Sequence, residues 1–255
     1  MISPLTDTQL KQYEEEGYVM LGRIMDDATL EAIRSEEAKF RRTPLKNDQD
    51  HPDARTIFRS QVCNYSPAVR EYAINGSHIE LLPSLVKTNN VLFWYIQFVT
   101  KYPDGSTGKS EFPWHQDNGY AGKLVPETNV TIWVALDDVD EHNGCVWVVP
   151  GSHKQGVLPH KPQSADNWYL DVKVAGDGVP ANLKAGEAVA FTGLTLHRSK
   201  LNHTDRPRRG FFMGYGDALT RYPDGKLAVD SPDSWMVLGE LPPPTGKVPA
   251  KLVTA

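Results

Sequence analysis

Cysteine is nearly absent from this sequence: the 255 residues include only Cys63 and Cys145. Two thiols build neither a disulfide framework nor a thiolate cluster, so any bound metal must sit on histidine and carboxylate. Long apolar runs are missing as well. The most apolar stretch, residues 91–99, is broken by Gln97 and is far shorter than a membrane span. Residues 1–16 are polar and acidic with no apolar segment behind a basic start, so no secretory signal is read and a cytoplasmic location is expected. Blocks of Lys and Arg are lacking too. With 27 Lys+Arg against 32 Asp+Glu the net charge is −5, which argues against nucleic acid and membrane surfaces as partners and for a small-molecule ligand. The helix-borne zinc pattern His-Glu-x-x-His, the Walker and dinucleotide glycine motifs and the Gly-x-Ser-x-Gly elbow do not occur.

What is present divides by texture near residue 90. The first part reads mostly as helix. Thr6 with Gln9 forms a capping-box pattern and Gly17 is a natural stop. A short strand over 18–24 follows, then a helix capped by Asp26 or Asp27 and running to about Arg42. Residues 43–54 read as a loop. Pro67 suits the first position of a third helix ending near Gly76, and a short fourth helix is expected over 78–87, bent or ended by Pro83. From Val91 onward, segments rich in Val, Ile, Phe, Trp and Thr alternate with Pro, Gly, Asp and Asn clusters. Strands are expected at 91–101, 129–136, 145–149, 187–191, 194–197 and 208–215. Short strands with turns between them indicate an antiparallel sandwich or barrel. Residues 154–184 are weakly patterned and read as an insertion between strands. The tail from 239, with Pro242-Pro243-Pro244, reads as extended. The whole is expected to be one domain over 1–255: helical to about 90, barrel over about 91–220, then the tail.

The chemistry concentrates at Trp114-His115-Gln116-Asp117. His and Asp at i and i+2 on a strand share one face, and together they fill two positions of the two-histidine, one-carboxylate set that binds Fe(II) and leaves sites open. The pattern is short enough to arise by chance, and a second instance does occur, His51-Pro52-Asp53, in a charged loop with proline between the two groups. The third ligand must come from a distant strand. His197 ends an apolar strand-and-turn stretch, although a lone His at a strand end is by itself usually a capping or core histidine. His142, His153, His160 and His203 sit in turn-like or polar contexts and read as structural or solvated. Both cysteines read as small buried apolar residues.

Several features in order resemble the phytanoyl-CoA dioxygenase family of Fe(II)/2-oxoglutarate oxygenases. They are the opening helix followed by Glu16-Gly17-Tyr18-Val19, then His115-Gln116-Asp117 and Trp133-Val134-Ala135-Leu136-Asp137. Asn143-Gly144-Cys145 leads to Val149-Pro150-Gly151-Ser152-His153, and His197 with Ser199 precedes Asp205-Arg206-Pro207-Arg208-Arg209. The resemblance implies a double-stranded β-helix, a cupin-like jelly-roll barrel with flanking helices. It implies Fe(II) as cofactor with 2-oxoglutarate and O2 as cosubstrates, and hydroxylation with release of succinate and CO2. His115, Asp117 and His197 match the iron ligands. Arg208 matches the arginine that clamps the distal carboxylate of 2-oxoglutarate, a task suited to a planar guanidinium. Ser199 is expected to donate to the same carboxylate, Trp133 to line the cosubstrate pocket and Gln97 to touch the cosubstrate. His153 corresponds to a structural turn. Related iron halogenases lack the carboxylate ligand, so Asp117 favours hydroxylation or another C–H oxidation.

By period two, Trp133 shares a strand face with Asn129, Thr131 and Ala135, while Val130, Ile132, Val134 and Leu136 face packing. Substrate contacts are expected from Trp114, Asn118 and Tyr120, and from Arg55, Arg59 and Asn64, the two arginines offering charge to an anionic group. A small polar or natural-product substrate is the expected class. Two other readings stay open: a non-catalytic jelly-roll protein with a vestigial metal site, and a zinc hydrolase on the same three ligands. The second lacks a Glu near the ligands in sequence to act as base.

Overall fold

A computed structural model of the protein describes residues 2–45, 54–164, 167–174 and 176–240. The elements run α1 (Asp7–Glu16), β1 (Tyr18–Arg23), α2 (Asp27–Phe40), β2 (Thr56–Ser60), α3 (Pro67–Asn75) and α4 (Leu82–Val86), then β3 (Val91–Lys101), β4 (Phe112–His115), α5 (Asn118–Ala121), β5 (Val130–Ala135) and β6 (Val146–Val148). There follow β7 (Lys161–Ser164), β8 (Asn167–Asp171), β9 (Val179–Ala181), β10 (Glu187–Thr192), β11 (His197–Ser199), β12 (Arg208–Asp217) and β13 (Trp235–Leu238). His51-Pro52-Asp53 and the proline tail lie outside the described residues.

Local signals set the helices as expected. Thr6 and Gln9 form the reciprocal capping box, Gly17 closes α1 in the left-handed region at φ 80°, and Asp26 caps α2. Pro67 opens α3 behind the Ser66 cap. The expected fourth helix is a 3-10 turn over Ser77–Leu81 that continues into α4, with Pro83 in its first turn instead of ending it.

A seven-stranded antiparallel sheet has the order β1-β10-β5-β12-β3-β13, with β2 also on the outer edge of β3. β13 covers the Val91 end of β3 and β2 the Lys101 end. The first ninety residues therefore contribute two strands, β1 and β2, to the sheet itself. A second, four-stranded sheet has the order β4-β11-β6-β9, and β7 pairs with β8. Together they make the jelly-roll barrel. One face of the large sheet packs Phe93, Ile96, Phe98, Ile132, Val134, Phe211 and Met213 against Tyr13, Leu30, Ile33, Val69 and Leu82 of the helices. Its other face brings Trp133, Val189 and Phe191 against Trp114, Val146, Val148 and Leu196 of the small-sheet side. Each fully buried aliphatic or aromatic side chain in these layers contributes about 1.5–3 kcal/mol.

Two local expectations are corrected. The stretch expected as a strand at 194–197 is mostly a turn, closed by Thr195 N–H donating to Thr192 O at 2.9 Å, and β11 begins at His197. Arg59 does not face a ligand. It is buried on the helix side of β2, where its guanidinium donates to Phe40 O and Arg41 O, each at 2.9 Å, and so satisfies carbonyls at the end of α2.

The loop from β3 to β4 is held by Asp104, which is 2% exposed. Its carboxylate accepts from Gly108 N at 2.8 Å and Ser110 N at 2.7 Å. Burial alone would raise its pKa, but these donors outweigh it and hold the group at about 2. The folded value lies below the unfolded one, about 3.9. Its stabilisation is therefore complete above about pH 4 and lost as pH falls through about 2. Urea unfolding at pH 7 and at low pH is expected to show Asp104→Asn destabilised at pH 7 and less acid-sensitive than wild type in that interval.

Candidate active site

β4 and β11 are antiparallel neighbours, and His115 pairs directly with His197. Each ring is turned the same way. His115 Nδ1 lies 2.8 Å from Pro113 O, and His197 Nδ1 lies 3.0 Å from Thr195 O. A carbonyl only accepts, so both Nδ1 atoms carry the proton and both Nε2 atoms present a lone pair. Those atoms converge on Asp117 Oδ1, at 3.9 Å from His115 and 3.5 Å from His197. The three ligand atoms lie within 4.8 Å of one another, the one such cluster among the described residues. Burial and the neighbouring His197 ring hold the His115 pKa well below its ordinary range, which keeps the ring neutral and able to ligate.

Asp117 reaches this point by a route other than the expected one. β4 ends at His115, and Asp117 has helical φ −60° and ψ −38° at the entry to α5. A turn, not a shared strand face, brings the carboxylate to the imidazoles. Thr131 Oγ1 donates to Asp117 Oδ2 at 2.5 Å, leaving Oδ1 toward the histidines. The turn is clamped from below by Gln116, which is fully buried. Its amide donates to Gly156 O and Leu194 O and accepts from Leu158 N. Gln116 N–H donates to His160 Nε2 at 2.9 Å. His160 and Gln116 are thus positioning residues that sequence reasoning passed over: Gln116 read as the spacer between His115 and Asp117 on a strand, and His160 as structural or solvated.

A cavity of about 460 Å³ opens over this triad. It is lined by His115, Asp117, His197, Ser199, Arg208, Trp133, Gln97, Asn118 and Tyr120, so nine expected site residues come together. Arg55, Arg59 and Trp114 are not part of the lining. Trp114 precedes His115 on β4 and faces the other way, under the Arg198 guanidinium at 4.6 Å. Arg55 is exposed before β2, and Asn64 is turned outward to Asp233.

At the far end of the cavity Arg208 is 1% exposed, and its guanidinium stands 5.2 Å over the Trp133 ring. It donates to Gly144 O, while Nε and Nη1 have no partner. Burial pushes its pKa down to about 10, so it remains a cation at neutral pH. A buried cation with idle donors fits an anionic group such as a carboxylate. Arg209 alternates to the helix side and pairs with Asp137 at 2.6 Å. The buried Lys101 beside this site is already engaged by the carbonyls of Ser110, Ser199 and Lys200. His153 is apart from the triad and meets Glu14 O at 3.1 Å.

Two buried imidazoles, one carboxylate and an open side toward a cavity are the donor set of a mononuclear non-haem iron oxygenase, and the idle guanidinium suits a dicarboxylate cosubstrate. Comparison with known proteins agrees. A sequence model of the family described as phytanoyl-CoA dioxygenase matches residues 13–210. Peroxisomal phytanoyl-CoA dioxygenase of Rattus norvegicus is 25% identical over 241 residues, covering 84% of this chain and 69% of its own. Methylphosphonate hydroxylase of Gimesia maris is 24% identical over 223 residues, covering 84% and 82%. The epimerase SnoN, solved with Fe3+, alpha ketoglutarate and nogalamycin RO, shares the fold at TM-score 0.70 and 22% identity, over 96% of this chain and 93% of that one. The chain belongs to the phytanoyl-CoA dioxygenase family and is an oxygenase of the iron- and 2-oxoglutarate-dependent class.

Gly210 is the residue the sequence reading missed entirely. It lies on β12 where the Trp133 indole crosses, and a Cβ there would meet Trp133 Cζ2 at 2.1 Å. Gly210→Ala must displace the indole from beneath Arg208. Urea unfolding is expected to show a loss of about 1–3 kcal/mol, with weaker 2-oxoglutarate binding by calorimetry.

Proposed function

We propose that this protein oxidises an unactivated C–H bond of a small-molecule metabolite, by hydroxylation, with His115, Asp117 and His197 holding Fe(II). The observation that carries the reading is the pair formed by the convergent donor set and the idle Arg208 guanidinium in one cavity. Arg208, a buried cation with unpartnered donors, binds the distal carboxylate of 2-oxoglutarate. Ser199, two residues after His197 and on the same strand face, donates to it as well. Trp133 forms the floor under the guanidinium, and Gln97 faces the cosubstrate from β3. One catalytic domain over residues 1–255 carries the reaction.

When bound, iron and 2-oxoglutarate supply the oxidising power from O2, with succinate and CO2 as the by-products. The chain supplies the rest. The Nδ1 bonds to Pro113 O and Thr195 O fix both imidazoles before metal arrives, and Thr131 fixes the carboxylate. Buried walls exclude water and strengthen the charge pairing at Arg208. Asp117 occupies a ligand position that halide would need, which favours oxygen insertion.

A zinc hydrolase on the same ligands needs a general base beside the water. Among the described residues that line the cavity, Asp117 is the one carboxylate, and it is a ligand. A vestigial site would not retain a buried arginine with idle donors, because such a group costs stability without its anion.

Anaerobic addition of Fe(II) and 2-oxoglutarate is expected to give a weak visible charge-transfer band, with succinate formed on admitting O2. Arg208→Ala should weaken 2-oxoglutarate binding at least tenfold, in line with the loss of a buried charge-assisted contact. Asp117→Ala should abolish substrate hydroxylation. Hydrolysis without 2-oxoglutarate, or turnover unchanged in Asp117→Ala, would overturn the assignment.

A further inference from the structure

We propose that the outer part of the cavity takes an uncharged, flat ring system, an aromatic or polycyclic metabolite bearing a hydroxyl or amide. This rests on the oxygenase reading above and names the substrate class for that site.

The first observation is composition. Nine of the 28 described residues lining the cavity are Phe, Tyr or Trp, against 9% of the chain. Two irregularities of the sheets place several of them. On β3, Phe93 and Ile96 both face the helices, and the register shifts between Gly214 and Tyr215 of β12. Trp94 and Tyr95 therefore both fall on the cavity side. On β4, Phe112 pairs with Ser199 and His115 with His197, so four residues of β4 lie opposite three of β11. Phe112 thereby joins His115 on the cavity wall. The rings meet edge to face: Tyr95 with Phe212 at 5.7 Å, Phe58 with Phe112 at 5.3 Å, and Phe112 with the His115 ring at 4.6 Å. Such a wall offers ring faces and edges to a flat partner within reach of the metal ligands.

Charge is the second observation. Among the described lining residues the Lys and Arg side chains are Arg208 and Arg198. Arg208 lies at the cosubstrate end. Arg198 sits between His197 and Ser199 on β11, and its guanidinium is turned away to Asp177 at 2.7 Å and Trp114. Arg198 keeps a buried Nε without a partner, but its charge is already matched by Asp177, so neither cation is free to neutralise a phosphonate, a phosphate or a substrate carboxylate. An anion placed among these rings would be desolvated without a partner.

The third observation is an amide pair. Asn129 Nδ2 donates to Asn118 Oδ1 at 2.7 Å, while Asn118 Nδ2 and Asn129 Oδ1 are buried without partners. Exchanging O and N in both amides still leaves one donor and one acceptor. Both residues line the cavity next to Asp117, on the side of the triad away from Arg208 along β5. A neutral hydroxyl or amide satisfies such an edge.

The test is calorimetric titration of the metal-free full chain with 2-naphthol, methylphosphonate and coenzyme A. Saturable heat is expected with 2-naphthol alone. Phe58→Ala and Phe212→Ala, each checked for an intact thermal transition, should weaken it roughly 3- to 10-fold. No saturable naphthol binding up to its solubility, tighter binding of methylphosphonate or coenzyme A, or naphthol affinity unmoved by both substitutions would overturn the proposal. Binding of 2-oxoglutarate with Fe(II) is measured on the same preparations. Its presence without naphthol binding rejects the ring-system class alone; naphthol binding without it rejects the oxygenase reading and leaves the ring-binding surface standing.

Discussion

The direct pairing of His115 with His197 across β4 and β11 is the contact on which the rest of this site depends. Two imidazoles set opposite each other in a ladder are close by construction, with ring centroids 4.1 Å apart. Closeness alone would be unfavourable for two titrating groups. Burial and the neighbouring His197 ring disfavour protonation of His115, and each ring spends its one N–H on a carbonyl two residues earlier. The outcome is a pair of neutral donors aimed at one point, held by backbone geometry before any ligand arrives. Asp117 joins them because the chain leaves the strand at that place and turns into α5.

The opposite end of the cavity works by a different balance. Arg208 and Lys101 are both buried, and the two cations repel. Lys101 is satisfied by three carbonyls from three segments, so it acts as a tie between β3, the loop before β4 and β11. Arg208 is left with idle donors. The protein therefore holds a buried charge whose donors are not all satisfied, the cost of which falls on the stability of the barrel.

Much of this was readable from single strands. Period two placed Asn129, Thr131 and Trp133 on one face of β5 and the aliphatic residues on the other, and it separated Arg208 from Arg209. Caps and proline located the first three helices. What escaped reading depends on a neighbour. A bulge is a mismatch between two strands, so neither Trp94-Tyr95 nor the shift after Phe112 shows in one strand's pattern. Gly210 is required by an indole reaching over from β5, and Arg59 is spent on carbonyls at the end of α2. Trp114 was misplaced because proximity in sequence to His115 was taken for proximity in space, although adjacent strand residues point apart.

The segment between Lys154 and Lys184 ends in β9, a strand of the small sheet, and its earlier part is mechanically two pieces. Its first stretch, through Leu158 and His160, is bolted to the backbone and side chain of Gln116, one residue from each of two ligands. The β7–β8 hairpin beyond it is joined to the body at Val172, whose N–H donates to Trp114 O. The hairpin is thus an exchangeable module between fixed mounts. A new hairpin grafted between His160 and Val172 leaves the Gln116 contacts and the turn that carries Asp117 in place. A replaceable loop and the rigid support of that turn thus sit on consecutive residues of one connection.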